Sequence, residues 1–216
     1  KLIETPGVAV DATDHVYAFS RNPEYPVMVF DPDGNYVRGF GKGVFGNRTH
    51  GILIAPDGSV FCVDDGIHTI TKWTQDGELL MTIGESGVST EKWKGAPFNR
   101  PTHAAVSKHT GHIYITDGYG NFRVHKYTAD GEHVMSWGEP GIYPGHFLRP
   151  LIIIVFYHYR VFVAFLEALL FQFFDTFFNV SFFWNFFHLP NFMTLFSFGY
   201  FVVFVFLLFS SLFSSL

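Results

Sequence analysis

Cysteine is almost absent. Cys62 is the only one in 216 residues, so no intrachain disulfide can staple the fold. It lies in the alternating run VFCVDD (60–65) and reads as a small buried apolar residue. Helical periodicity is missing as well: no segment repeats its apolar residues at three-to-four spacing. Clusters of Lys and Arg are also lacking. The chain has 14 basic and 19 acidic residues, a net charge of -5, which excludes a nucleic-acid backbone as partner. The start shows no signal peptide; Lys1 leads at once into a strand-turn pattern, so the expectation is a piece of a longer protein.

Charge itself runs out along the chain. Residues 151–216 carry three formal charges, Arg160, Glu167 and Asp175, and none follows Thr176. The same stretch holds 20 of the 28 Phe. Two compositions are thus joined in one chain: an ordinary mixed one over 1–150 and an apolar one after it.

What is present is a repeat. DPDGNYVRGFGK (31–42), TQDGELLMTIGE (74–85) and TADGEHVMSWGE (128–139) align without gaps. Each has Asp-Gly and, after six residues, a second Gly. Asp-Gly between alternating apolar runs is a hairpin signal, because glycine accepts the positive φ of the turn. A second set alternates with these: GVAVDATDHVYAF (7–19), GILIAPDGSVFCVD (51–64) and HAAVSKHTGHIYITD (103–117), each a strand, a turn and a strand. One unit is therefore four short strands, recurring every ~40–55 residues, as in propeller blades. The predicted fold is all-β: a β-propeller of which 1–150 supplies about three blades, three to four with the degenerate continuation at 151–175. Since a closed ring takes at least four blades, the chain is expected to be incomplete.

The blades resemble NHL repeats, and in detail the peptidyl-α-hydroxyglycine α-amidating lyases. The runs that carry the resemblance include PGVAVD (6–11), VYAFSR (16–21), PVMVFD (26–31), HGILIAPDG (50–58) and VDDGIHTITKWTQDG (63–77). FNRPTHAAV (98–106), TDGYGNFRVHKY (116–127) and SWGEPGIYPGHFLRP (136–150) continue it. The resemblance implies a six-bladed propeller that cleaves a peptidyl-α-hydroxyglycine to a peptide amide and glyoxylate. It implies zinc in the central channel and a structural calcium. It makes His50 a zinc ligand, Val8 and Ile52 the residues whose carbonyls bind calcium, Arg21 the arginine that holds the substrate, and Tyr119 the active-site tyrosine. It also implies a secretory-pathway location.

These roles suit the residue types. Neutral imidazole binds zinc, and carbonyl oxygens suit a hard cation. A tyrosine relays a proton, and an arginine grips a carboxylate through two parallel bonds. Each residue also has a plain alternative: His50 as a strand-start residue bonding a neighbouring loop, Arg21 as a solvated strand end, Tyr119 as a packed turn aromatic. His68 reads as a hydrogen-bonded blade histidine; Asp64, Asp117 and Arg123 read as braces of turns between blades.

Counting residues gives a ruler. His50 lies fourteen before Asp64, and His103 fourteen before Asp117. The same count places Leu151 fourteen before Phe165. The resemblance implies a second zinc-binding histidine after Arg-Pro, where this chain has Leu151. A third would fall in a later blade. Leu166 stands where the resemblance implies a further arginine. The expectation is a lyase fragment that is inactive as written; the alternative is a non-enzymatic NHL propeller that binds a protein or glycan. His103, in the phase of His50 by the ruler, is open to three roles: surrogate ligand, partner that orients another group, or ordinary strand-end residue.

RVFVA (160–164) and FQFFDT (171–176) still look like blade strands. The Phe-rich tail, 176–216, admits three readings: a sequence artefact, a membrane anchor over 192–209, or a soluble domain. A membrane is a partner only under the second.

Overall fold

A computed structural model describes residues 3–94, 98–155 and the backbone of 161–164. All lie within one unit, Lys1–Glu167. No helix occurs among them. The readings of 171–176 and 176–216, and the position of Leu166, lie outside the described residues. Among the described residues no helix is long and apolar enough to cross a membrane.

The strands form three four-stranded antiparallel sheets and the start of a fourth. Blade 1 holds β1 (Gly7–Val10), β2 (Val16–Phe19), β3 (Val27–Phe30) and β4 (Tyr36–Phe40). Blade 2 holds β5 (Thr49–Ile54), β6 (Val60–Asp64), β7 (Thr69–Trp73) and β8 (Leu79–Ile83). Blade 3 holds β9 (His103–Val106), β10 (Ile113–Asp117), β11 (Arg123–Tyr127) and β12 (His133–Trp137). In blade 4, β13 (Ile152–Val155) pairs with β14 (Val161–Ala164), within the expected 160–164. Strand order follows chain order in every sheet. First strands of successive blades lie side by side: β1 with β5, β5 with β9, β9 with β13. This is β-propeller architecture, with the first strand of each blade innermost.

The repeated glycines explain how one blade leads to the next. Gly34, Gly77 and Gly131 take φ of 84°, 91° and 85° in the hairpin turns. The second glycine of each repeat, Gly41, Gly84 and Gly138, also has positive φ and leaves room for an aromatic of the following connection. A Cβ there would stand 2.5 Å from Phe45, 3.2 Å from Phe98 and 2.3 Å from Phe147 respectively.

Apolar burial occurs between blades. Tyr17, Phe19 and Val27 of blade 1 meet Ile52, Cys62 and Trp73 of blade 2. Phe61, Ile70 and Phe98 meet Ala104, Ile113 and Ile115 of blade 3. Ala105 and Val124 meet Ile153 of blade 4. A sheet with two apolar faces needs a neighbour on each, which is why a blade repeats.

Candidate functional site

The starts of the innermost strands, and the connections that lead into them, gather the candidate residues. His50 is the second residue of β5. Regular pairing on β6 breaks between Thr49 and Ile52, so His50 and Gly51 sit in a bulge. Bulges re-aim side chains. The His50 ring turns toward blade 3, where Nδ1 lies 2.8 Å from the Thr102 carbonyl. A carbonyl only accepts, so Nδ1 carries the proton. Nε2 is then a bare lone pair, and it receives the Tyr119 hydroxyl at 3.1 Å. The two rings meet edge to face, centroids 5.4 Å apart. Burial pushes His50 below the ordinary histidine range, and the Arg21 and Arg48 charges add to this. The Thr102 bond and the Asp65 charge oppose it.

Tyr119 is held from the other side. The Arg100 guanidinium stacks on its ring, 4.5 Å from the centroid. Arg100 also bonds Asp65 at 3.0 Å, and Arg48 grips the same carboxylate in two-pronged fashion at 2.6 and 3.0 Å. Asp65 is fully buried. Burial alone would raise its pKa; the Arg48 and Arg100 bonds overcome that and hold it below the usual carboxylate range. Arg21 pairs with the exposed Glu4, and its Nε is buried without a partner. Glu4 is largely exposed, and an ion pair with an exposed partner contributes little. Thr49 Oγ1, next to His50, is likewise buried and unbonded.

Arg48, Asp65 and Arg100 escaped the sequence reading. A signal existed: Asn-Arg precedes both His50 and His103, in GNRTHG and FNRPTH, and the aspartate is doubled at 64–65.

The ruler passes through a bulge in one blade only. By strand pairing, His103 faces Thr116 on β10, the counterpart of Val63 on β6, which lies opposite the His50–Gly51 bulge. The equal spacing arises from two offsetting insertions. β5 carries an extra bulge residue, whereas the β9–β10 turn, 107–112, is one longer than the β5–β6 turn, 55–59. The His103 Nδ1 is buried with no partner. Burial first, and His50 second, push its pKa down to about 4.

Turn braces are explicit. Asp64 accepts from the amides of Gly46, Gly66 and Ile67, and Asp117 from Asn99, Asn121 and His125. His68 accepts the Arg100 amide through Nδ1. Arg123 Nε is buried without a partner. Val8 and Ile52 sit at matching positions of adjacent inner strands, each two residues before its turn-proximal pair. Leu151 directly precedes β13, its carbonyl 3.4 Å from the Thr116 hydroxyl.

The zinc that the resemblance implies meets one suitable side chain, His50. Leu151 has no donor, and among the described residues no group of three or more His, Cys, Asp or Glu converges as a metal centre. The described donor set does not fit a three-histidine zinc site.

Comparison with known proteins agrees with this fold. Residues 98–127 match the NHL repeat. The chain is 29% identical over 120 residues to peptidyl-alpha-hydroxyglycine alpha-amidating lyase 1 of Drosophila melanogaster, covering 54% of this chain and 21% of that protein. It is 32% identical over 168 residues to human NHL repeat-containing protein 3, covering 73% of this chain and 48% of that one. A streptogramin B lyase structure superposes with a TM-score of 0.58 at 15% identity, over 74% of this chain and 47% of the other. That likeness concerns the fold alone. The chain spans less than half the length of each curated relative named. Its described part is thus a run of β-propeller blades with an NHL repeat at 98–127, similar in sequence to proteins named as amidating lyases.

Proposed function

We propose that the chain is part of an amidating-lyase-like propeller that binds a peptide ending in α-hydroxyglycine at the inner ends of blades 1 to 3. The observation that carries this reading is the His50–Tyr119 hydrogen bond set among three arginines. Arg21, with a free Nε and a weakly held partner, takes the terminal carboxylate. Arg100, tied to Asp65, positions Tyr119, while burial first and the Arg21 and Arg48 charges second keep His50 neutral. The reaction converts the α-hydroxyl to a carbonyl as the C–N bond breaks. The hydroxyl proton leaves and the departing amide nitrogen gains one, giving glyoxylate and a peptide amide. Tyr119 passes its proton to His50 Nε2 as it accepts the substrate's, and the same pair returns one to nitrogen. Calcium at the Val8 and Ile52 carbonyls, and a secretory location, belong to the same reading.

Leu151 supplies no metal donor, so turnover is expected to be at or near background. A second reading, a non-enzymatic NHL propeller that binds a protein or glycan partner, is favoured by Leu151 in particular. The test is to incubate the chain with a peptidyl-α-hydroxyglycine, measuring binding and glyoxylate. The lyase-like reading expects binding that weakens at least about tenfold in Arg21→Ala, a loss of one charge-assisted bond pair, with almost no glyoxylate. Absence of binding sinks it in favour of the second reading; robust glyoxylate release sinks the expected inactivity.

A further inference from the structure

Successive blades are joined differently beyond the far ends of their innermost strands. In blade 1, Tyr17 pairs with Val29 and Val29 with Arg38; the matching residues of blade 2 are Phe61, Lys72 and Met81. Arg38 reaches across to blade 2. Its Nε and Nη2 donate to the Gln75 carbonyl at 3.0 and 2.8 Å, and Nη2 also to the Tyr17 hydroxyl at 3.2 Å. Between blades 2 and 3 this bridge has no equivalent. Met81 brings a thioether and no donor, and the residue matching Gln75 in the Asp-Gly repeat is Ala129. A cavity of about 240 Å³ opens there instead. Pro56 and Asp57, in the turn after β5, and Ser107 and Lys108, in the turn after β9, line it, whereas His50 stands at the start of β5.

The cavity has an apolar wall and a charged one. Phe61, Val106 and Ile113 supply the first, and Lys72, Asp57 and Lys108 the second. Where blade 1 has the fully buried Val29, blade 2 has Lys72, its ammonium 3.1 Å from Asp57 and 5.6 Å from the centroid of the Phe61 ring. Asp57 is shared. Its Oδ1 accepts the Ser59 amide and hydroxyl at 3.0 and 2.5 Å, and its Oδ2 meets Lys72. That bond uses one of three ammonium hydrogens. Two lysines against one aspartate leave the lining one positive charge in excess.

We propose that this cavity binds a small organic monocarboxylate with a short apolar body, its carboxylate on Lys72 and its body against Phe61, Val106 and Ile113. A carboxylate accepts charge-assisted hydrogen bonds from an ammonium, and the body takes the apolar wall out of water. One excess charge matches a monoanion rather than a doubly charged phosphate ester. The volume lies below the roughly 300–1,000 Å³ of pockets for drug-sized ligands, so the ligand is smaller than those. The site stands apart from the peptide site and does not rest on the lyase-like reading.

The probe is hexanoate, with hexanol as its uncharged counterpart, titrated into the 216-residue chain and followed by amide NMR. Hexanoate is expected to shift the amides of Phe61, Ser107 and Gly111. Hexanol is expected to bind roughly tenfold more weakly, the loss of a charge-assisted hydrogen bond, and Lys72→Met to weaken hexanoate by the same factor. Ala129→Gln places the side chain of Gln75 at the matching point of blade 3, fills the cavity and is expected to abolish the shifts. Circular dichroism separates both losses from unfolding. No shift at these amides in the unaltered chain overturns the proposal. So does undiminished affinity in a folded Lys72→Met chain, or hexanol binding as tightly as hexanoate. Shifts confined to the amides around Arg21 and His50 would put the carboxylate at the peptide site and overturn it as well.

Discussion

Blade 2 and blade 1 have the same strand plan and opposite surroundings. Val8 on β1 and Ile52 on β5 occupy matching positions, yet Val8 is 60% exposed and Ile52 5%. At the other end, Ile154 of β13 is 49% exposed, whereas its match on β9, Ala105, is buried at 6%. Blade 2 has a neighbour on both faces; blades 1 and 4 each show one apolar face uncovered among the described residues. Stability in this architecture resides in blade-to-blade contacts, and a blade's own hairpins contribute less.

Substitution within blade 2 tests this contrast most severely. Phe61→Ala removes a ring that is 1% exposed between blades 2 and 3. It is expected to cost about 3–5 kcal/mol, whereas Val8→Ala, on the open face, costs under about 0.5. Urea unfolding followed by tryptophan fluorescence measures both. Equal effects would mean that blade 1 is covered by something the contrast ignores.

Asp65 comes next. It joins Arg48 from the connection entering blade 2 to Arg100 from that entering blade 3. Asp65→Asn leaves two guanidinium groups short of a counter-charge. Both are more than a third exposed and therefore partly solvated, so the expected cost is about 1–3 kcal/mol. Because the folded-state pKa is depressed, the contribution is fully present above the unfolded value near 3.8 and is lost as pH falls through the folded value. The stability gap between the unaltered chain and Asp65→Asn should therefore be widest near neutral pH and shrink as pH falls through the folded value; a gap that does not change with pH contradicts the account.

The smallest effect concerns the blade-closing glycine. Gly84→Ala puts a Cβ 2.6 Å from the His68 carbonyl at φ +92°, while Gly43→Ala, at φ +79°, meets open space. Both incur the left-handed penalty of about 1 kcal/mol; Gly84 adds a clash, for about 2 or more in total. Thermal melting of the two variants reads the difference.

Much of the fold is legible in the sequence. The Asp-Gly repeat marks β3–β4, β7–β8 and β11–β12 because turn glycines with positive φ have few substitutes. The site is less legible. Equal spacing sets His50 and His103 opposite equivalent positions, yet a count along the chain is blind to the bulge at His50 and to the longer turn that offsets it. The Arg48–Asp65–Arg100 bridge joins residues up to 35 apart, and its charges look like ordinary loop residues until two connections meet. Tyr119 stands 69 residues from His50, and only packing blade 3 against blade 2 brings the two together.

That meeting is the central claim, and nitrogen NMR of histidine-labelled protein at pH 7.5 tests it most directly. The account predicts a neutral Nδ1–H tautomer on His50, with the His50 Nε2 resonance moving in Tyr119→Phe as its hydrogen bond is lost. A charged His50, an Nε2–H tautomer there, or a spectrum indifferent to Tyr119 would contradict it.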